Sequence, residues 1–228
     1  QYGEALLFLE QYEGKNGKWK NIDFYQLGFV YYKIGKYEQA IEQFNKILSK
    51  PTELAQSSYY YLGDSYLKVN KKTAALNAFR SAGSMNFDAK IEENASLQYA
   101  KLSYEIGNPY EDTSAVLIRF LEMYPETESK KLLSAYLLDS YTISGNFDAA
   151  LEILVNNKSY KNPVELQKIS YLKAVKTYQS GNYNGAILHF ERAIKVNERS
   201  DFVAAALYWK GRSLYELNRY DDALDIFK

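Results

Sequence analysis

The sequence predicts an all-α fold, a solenoid of antiparallel helix pairs about six repeats long. Three observations predict it. A small residue recurs at Ala5, Ala40, Ala75, Thr113, Ala150, Ala186 and Ala223, at intervals of 35, 35, 38, 37, 36 and 37 residues. A fixed period in that range belongs to arrays whose units bury their apolar faces on one another. Within each unit the apolar residues fall on two stripes at helical spacing. Finally, a chain of 228 residues is longer than a typical single-core domain, which stacking tolerates because no one core has to grow.

Taken in order, residues 1–13 read as the second helix of a preceding repeat. Glu13-Gly-Lys-Asn-Gly-Lys18 follows as a basic turn with Trp19 packed beside it; its glycines fit neither phosphate-cradling pattern and no strand leads into them. The repeat at 21–50 is the clearest. Phe24, Leu27, Gly28 and Tyr31 make its first stripe, and Tyr37, Ala40, Ile41, Phe44, Ile47 and Leu48 its second. Gly35 stands between them, where a left-handed residue ends a helix without a side-chain penalty.

Further repeats are expected at 52–86, 88–124, 127–157, 162–197 and 200–228. The glycine turn returns as Gly145-Asn-Phe147 and Gly181-Asn-Tyr183. Asn108-Pro-Tyr-Glu111 and Asn162-Pro-Val-Glu165 read as helix starts, each with an N-cap, a proline in the first position and a glutamate closing a capping box. Gly28, Gly63 and Gly211 fall in mid-helix, where glycine costs about 0.8–1.0 kcal/mol relative to alanine, so a close helix crossing is expected at each. Both ends of the chain fall at the same phase of the repeat. The whole of 1–228 therefore reads as one repeat domain, an excerpt of a longer array.

Composition excludes several classes of function. With 28 basic and 28 acidic residues, no long-range field draws the chain to nucleic acid or anionic lipid. The longest apolar run, Phe202 to Trp209, falls short of the roughly 20 residues of a membrane span, so no direct membrane insertion is expected. Cysteine is absent and His189 is the one histidine. Neither a thiol nucleophile nor a transition-metal site of the usual kind can be assembled, and His189 reads as a packed or half-exposed imidazole on a second helix. We expect no catalytic residues, no metal and no cofactor. The triplets Asn94-Ala-Ser96 and Asn157-Lys-Ser159 match a glycosylation pattern too short to assign a role.

Leu27-Gly28-x-x-Tyr31, then Ala40 and Phe44, recurs as Leu62-Gly63-x-x-Tyr66, Ala75 and Phe79, with Ala186, Phe190 and Ala193 repeating the second-helix part. In this pattern the chain resembles the tetratricopeptide repeat family over essentially its whole length. Some units depart from it: Ala100, Leu138 and Ala174 replace the glycine, and Tyr104, Tyr178 and Tyr215 stand one place beyond the usual tyrosine. The slightly long units and the tyrosine content are similar to those of bacterial cell-envelope members. An envelope location, periplasmic or at the outer membrane, is what that likeness implies.

The resemblance implies a right-handed superhelix whose first helices line a concave, non-catalytic protein-binding surface. Aligning the units places Tyr25, Phe29, Tyr32, Tyr60, Asp64, Leu67, Leu97, Lys101 and Tyr104 on it, followed by Asp139, Thr142, Tyr171, Val175, Tyr178, Tyr208, Arg212 and Tyr215. Such rings are stiff and amphipathic, the type that dominates interface energies, and Tyr25, Tyr60, Tyr171 and Tyr208 are expected to project furthest inward. The lysines and asparagines with which some members clamp a peptide carboxylate are replaced by Tyr25, Phe29, Tyr60 and Asp64. A protein or peptide segment is the expected partner. Three alternatives stay open at this point: the same tyrosines acting chiefly as packing, a carbohydrate or cell-wall module whose rings stack on sugars, and one-base-per-unit RNA reading, which the neutral charge opposes. An enzyme would need its active site outside this segment.

Overall fold

The computed structural model describes residues 2–47, 50–156 and 162–228; Leu48 and the triplet Asn157-Lys-Ser159 lie outside them. Among the described residues the chain forms thirteen helices and no strand. They are α1 (Tyr2–Glu10), α2 (Asn21–Lys33), α3 (Tyr37–Asn45), α4 (Glu53–Lys68), α5 (Lys72–Gly83), α6 (Ala89–Ile106), α7 (Thr113–Met123), α8 (Lys130–Ile143), α9 (Phe147–Asn156), α10 (Pro163–Gln179), α11 (Tyr183–Val196), α12 (Ser200–Glu216) and α13 (Tyr220–Phe227). Even-numbered helices are the first of each repeat and odd-numbered ones the second. The chain packs as two compact units, Gln1–Thr127 and Glu128–Lys228.

The turns make the hairpins. Gly35, Gly145 and Gly181 take φ of 80°, 71° and 80°, and the following amide reaches back over the last turn: Lys36 N–H donates to the Tyr31 carbonyl at 2.9 Å and Asn146 N–H to that of Tyr141 at 2.8 Å. In two repeats asparagine does the same work. Asn70 and Asn218 have φ of 57° and 58°, with Lys71 bonded to Tyr66 at 2.8 Å and Arg219 to Leu214 at 2.9 Å. These are left-handed C-terminal caps, which asparagine tolerates better than other side chains.

In five of the six helix pairs one aromatic ring stands at the crossing. The eighth residue of the second helix is Phe44, Phe79, Phe120, Phe190 or Phe227, with Leu154 in α9. Phe44, Phe79 and Phe190 are wholly buried. A Cβ on Gly28 would meet the Phe44 ring at 2.9 Å, one on Gly63 the Phe79 ring at 2.9 Å, and one on Gly211 the Phe227 ring at 2.5 Å. Glycine is there because the ring occupies the place of a side chain. Where the repeat carries Ala174 beside Phe190, both are still fully buried.

The third repeat departs from this pattern. Its turn runs over 107–112, against 34–36 in the first, and α7 begins at Thr113 with Asp112 as its N-cap, the carboxylate accepting from Ala115 N–H at 3.1 Å. The helix start expected at Asn108 is therefore corrected to Asp112. Asn108 instead ties the loop to α6, donating to the Tyr99 hydroxyl at 2.8 Å and Ser103 Oγ at 2.9 Å. Thr113 is the first residue of its helix whereas Ala40, Ala75, Ala150, Ala186 and Ala223 are each the fourth. Buried Val116 holds the alanine's place. Asn162, by contrast, caps α10 as expected, accepting from Glu165 N–H at 3.1 Å with Pro163 in the first turn.

Successive repeats are latched by a buried glutamine. Gln56 Nε2 donates to the carbonyls of Ala82, Met85 and Asp88, the shortest at 2.6 Å, while its Oε1 accepts from Asp88 N–H at 2.8 Å. Gln167 repeats the arrangement with Ala193 and Arg199. Both are 0% exposed. Each joins its own first helix to the residue that begins the next one.

Two substitutions test this account by thermal or denaturant unfolding. Gly63→Leu should overpack the crossing and cost roughly 1–3 kcal/mol; an unchanged melting temperature contradicts it. Gln56→Leu should cost about 1–3 kcal/mol by stranding the buried Asp88 amide and the loop carbonyls, and stability equal to the parent would remove the latch.

Candidate functional site

In the first unit, α2 and α4 lie side by side and bring five of the expected residues together. Tyr25 and Phe29 stack at 6.0 Å between ring centroids, and Tyr61 closes on Tyr25 at 6.4 Å, Phe29 at 5.1 Å and Tyr32 at 5.1 Å. Tyr60 stands beside Tyr61 at 5.4 Å and against Phe79 at 5.9 Å. The Tyr32 hydroxyl donates to the Asp64 carboxylate at 2.6 Å, which ties adjacent repeats together. These rings are half-buried. Each is held by its neighbours and keeps part of its surface open.

The hydroxyls register that packing. Burial, with help from the neighbouring Tyr61 and against a hydrogen bond to Ser57, pushes the Tyr25 phenol up to about 12. Burial and then the Asp64 carboxylate raise Tyr32 and Tyr60 as well, because both disfavour a phenolate. All three are neutral donors at physiological pH. The Lys33 ammonium lies 5.0 Å from the Phe29 ring and 5.7 Å from that of Tyr32, so the wall carries a cation as well as the Asp64 carboxylate. On α6, Leu97, Lys101 and Tyr104 are half-buried at the corresponding places, as is Leu67 on α4.

In the second unit the same positions fall on α10 and α12. Tyr171 packs on Phe190 at 6.1 Å and Phe202 at 5.5 Å, and Tyr178 on Trp209 at 5.1 Å and Tyr183 at 5.2 Å. Tyr208 and Tyr215 are more than half exposed, at 53% and 52%. Arg212 lies between them in sequence, pairing with Glu216 at 3.1 Å and lying 5.8 Å from the Tyr215 ring. Asp139 on α8 is exposed, and Val175 and Thr142 are half-buried. Of the four tyrosines expected to project furthest, Tyr208 is the exposed one; Tyr25, Tyr60 and Tyr171 are half-buried in the wall.

Three contributors escaped the sequence reading. Tyr61 and Trp209 occupy one repeat position, two residues before Gly63 and Gly211, and each carries the contact with the preceding first helix. The doublets Tyr60-Tyr61 and Tyr208-Trp209, at the same phase, were the available signal. Lys33 is the third, one turn beyond Phe29. His189 is half-buried on α11; burial first, then Lys173 and Arg192, lower its pKa, with Asp148 opposing. Among the described residues no three metal-binding side chains cluster, and no helix is long and apolar enough to cross a membrane.

Comparison with known proteins places these features in a family. The family model for the tetratricopeptide repeat matches residues 25–85 and 171–228. A TPR repeat-containing protein of Methanocaldococcus jannaschii is 25% identical over 98% of the chain. The chain spans 40% of that relative's length. Among solved structures, Naa15/Naa10 bound to HypK-THB matches all of the chain and 34% of its own with a TM-score of 0.58 at 19% identity. YrrB, described as a TPR protein with an unusual peptide-binding site, matches 90% of the chain and 96% of its own with a TM-score of 0.48 at 16% identity.

Alkaline titration checks the packing of the wall. A phenol whose folded pKa is raised contributes stability that is complete below its unfolded value and is lost as pH rises through the folded one. Stability should therefore fall between pH 10.0 and about 12, and Tyr25→Phe should flatten that decline. An identical slope in the variant contradicts the burial assigned to Tyr25.

Proposed function

The chain belongs to the tetratricopeptide repeat family, and on that premise we propose that it is a non-catalytic scaffold that holds a segment of a partner protein on its first-helix faces. One observation carries the reading: Tyr25, Phe29, Tyr32 and Tyr60 form a continuous wall whose rings are already fixed by Tyr61 and the Tyr32–Asp64 hydrogen bond yet stay part-open. Binding to fixed rings forfeits little side-chain entropy. Partner contacts are proposed at these residues, at Asp64 and Tyr104, and in the second unit at Asp139, Tyr171, Tyr178, Tyr208, Arg212 and Tyr215.

The wall's charges fit a mixed segment. Lys33 at one edge suits a carboxylate and Asp64 a basic group or a hydroxyl, while the rings accept apolar side chains at the spacing of successive turns. A cell-envelope location, supported by unit length and tyrosine content, is the accompanying proposal for where the partner is met.

Short random peptides displayed on phage and selected against the whole chain test the reading. Selected peptides should lose about tenfold or more in affinity to Tyr60→Ala and to Lys33→Glu, the second an exposed change that leaves the core intact. Equal binding by both variants overturns the proposal. So does a chain that selects no peptide but gives ring-stacking shifts with oligosaccharides.

A further inference from the structure

A second feature of the first unit lies where the third repeat breaks the pattern. Between α5, α6 and α7 there is a cavity of about 310 Å³. Phe79, Val116, Phe120 and Met123 supply its apolar lining, and Met123 at its edge is 54% exposed. The longer turn over 107–112 forms the rim, and Ala100 stands where other repeats have the glycine of the tight crossing. The lining touches the wall at Phe79, on whose ring Tyr60 packs, but on α6 the two diverge: Ser96 and Tyr99 line the cavity, while Leu97, Lys101 and Tyr104 belong to the other stripe.

The charges of this cavity do not balance. Arg119 is committed to Glu111 through two hydrogen bonds of 2.7 and 3.0 Å, and Tyr99 donates to the same carboxylate at 2.8 Å. The Arg119 bonds come first among the causes holding the Glu111 carboxyl below the ordinary range. Arg80 is a second guanidinium on the lining, exposed and held 4.3 Å from the Tyr110 ring. Tyr110 is fixed in turn by its hydroxyl, which donates to Asn77 at 2.8 Å. Arg80 and Ser84 also line an adjoining, more polar hollow with Asn77, Ser81 and Tyr110. Where Arg80 and Arg119 act on Tyr99 and Glu111, two guanidiniums meet one carboxylate and leave a local excess of positive charge; Glu92 and Glu93, which act on Tyr124, lie earlier on α6.

We propose that this cavity is a second peptide-docking site, separate from the tyrosine wall, which takes an apolar side chain beside Met123 and an acidic residue of the same segment on Arg80. The volume is at the small end of ligand pockets, which run from about 300 to 1,000 Å³, and suits one large side chain. The Arg80 guanidinium, 4.3 Å from the Tyr110 ring, supplies N–H groups for a bidentate carboxylate contact. Glu92 and Glu93 face Tyr124 at the far end, so the segment has one favoured direction, with its acidic residue at the Arg80 end.

The experiment uses the whole chain and a displayed library of short random peptides, eluted in two pools by competition with the Arg80→Glu or the Lys33→Glu protein. Both substitutions are at exposed positions, and unchanged melting curves are checked first. The proposal expects a pool enriched in peptides with an apolar residue close to Asp or Glu. Their affinity should fall about tenfold or more on Arg80→Glu and on Met123→Glu and stay unchanged on Lys33→Glu and Tyr25→Ala. Peptides sensitive to the wall variants alone, a pool without acidic residues, or concentration-dependent dimerisation of the chain abolished by Met123→Glu would each overturn it. Failure here leaves the wall's own peptides binding, so the two readings fail separately.

Discussion

The fold depends on one contact, the ring contributed by the eighth residue of a second helix against a residue with little or no side chain on the first. Phe79 against Gly63 shows why it dominates. The ring stands 2.9 Å from where a Cβ on residue 63 would be, so the two helices approach more closely than a side chain there would allow. Everything outside the hairpin inherits that geometry. The first-helix aromatic residues pack on that ring along one edge, as Tyr60 does on Phe79 and Tyr171 on Phe190, and the next repeat stacks in the register that the glutamine latch and the Tyr32–Asp64 bond then secure.

Function follows from what stacking leaves open. A core residue in a globular domain is covered on all sides, but a first helix in an array has one flank on its own partner, one on its neighbour and a third uncovered. The aromatic positions lie at the boundary between the last two. That is why the tyrosines differ in how far they are covered: Tyr25, Tyr60 and Tyr61 pack on neighbouring rings and keep part of their surface open, and Tyr208 and Tyr215 stand largely exposed. Rigidity and accessibility come from the same contacts.

Much of this was legible in the chain. The period, the glycine turns and the mid-helix glycines follow from short-range stereochemistry, and Tyr25, Phe29, Tyr32, Tyr60 and Asp64, at fixed offsets from Gly28 and Gly63, come together around Tyr61. What could not be read depended on longer range. Asn70 and Asn218 cap helices as glycine does, but an asparagine in a polar turn looks like ordinary solvated sequence. Gln56 and Gln167 look like exposed helix residues because glutamine is seldom buried, and only the backbone of Asp88 and Arg199, at the start of the next first helix, makes them latches. The third repeat misled most. Asn108-Pro-Tyr-Glu111 carries a sound capping pattern, yet Asn108 found stronger partners in Tyr99 and Ser103, which moved the helix start to Asp112 and shifted the register by which Thr113 was aligned.

The most direct test of the ring contact is a double-mutant cycle between Gly63→Ala and Phe79→Leu, followed by equilibrium unfolding of the whole chain. If the Phe79 ring is what forbids a side chain at Gly63, alanine should be costly beside phenylalanine and much cheaper beside the smaller leucine, with a coupling energy of about 0.5–3 kcal/mol. Costs that simply add, within about 0.3–0.5 kcal/mol, would mean the two residues do not set the crossing between them.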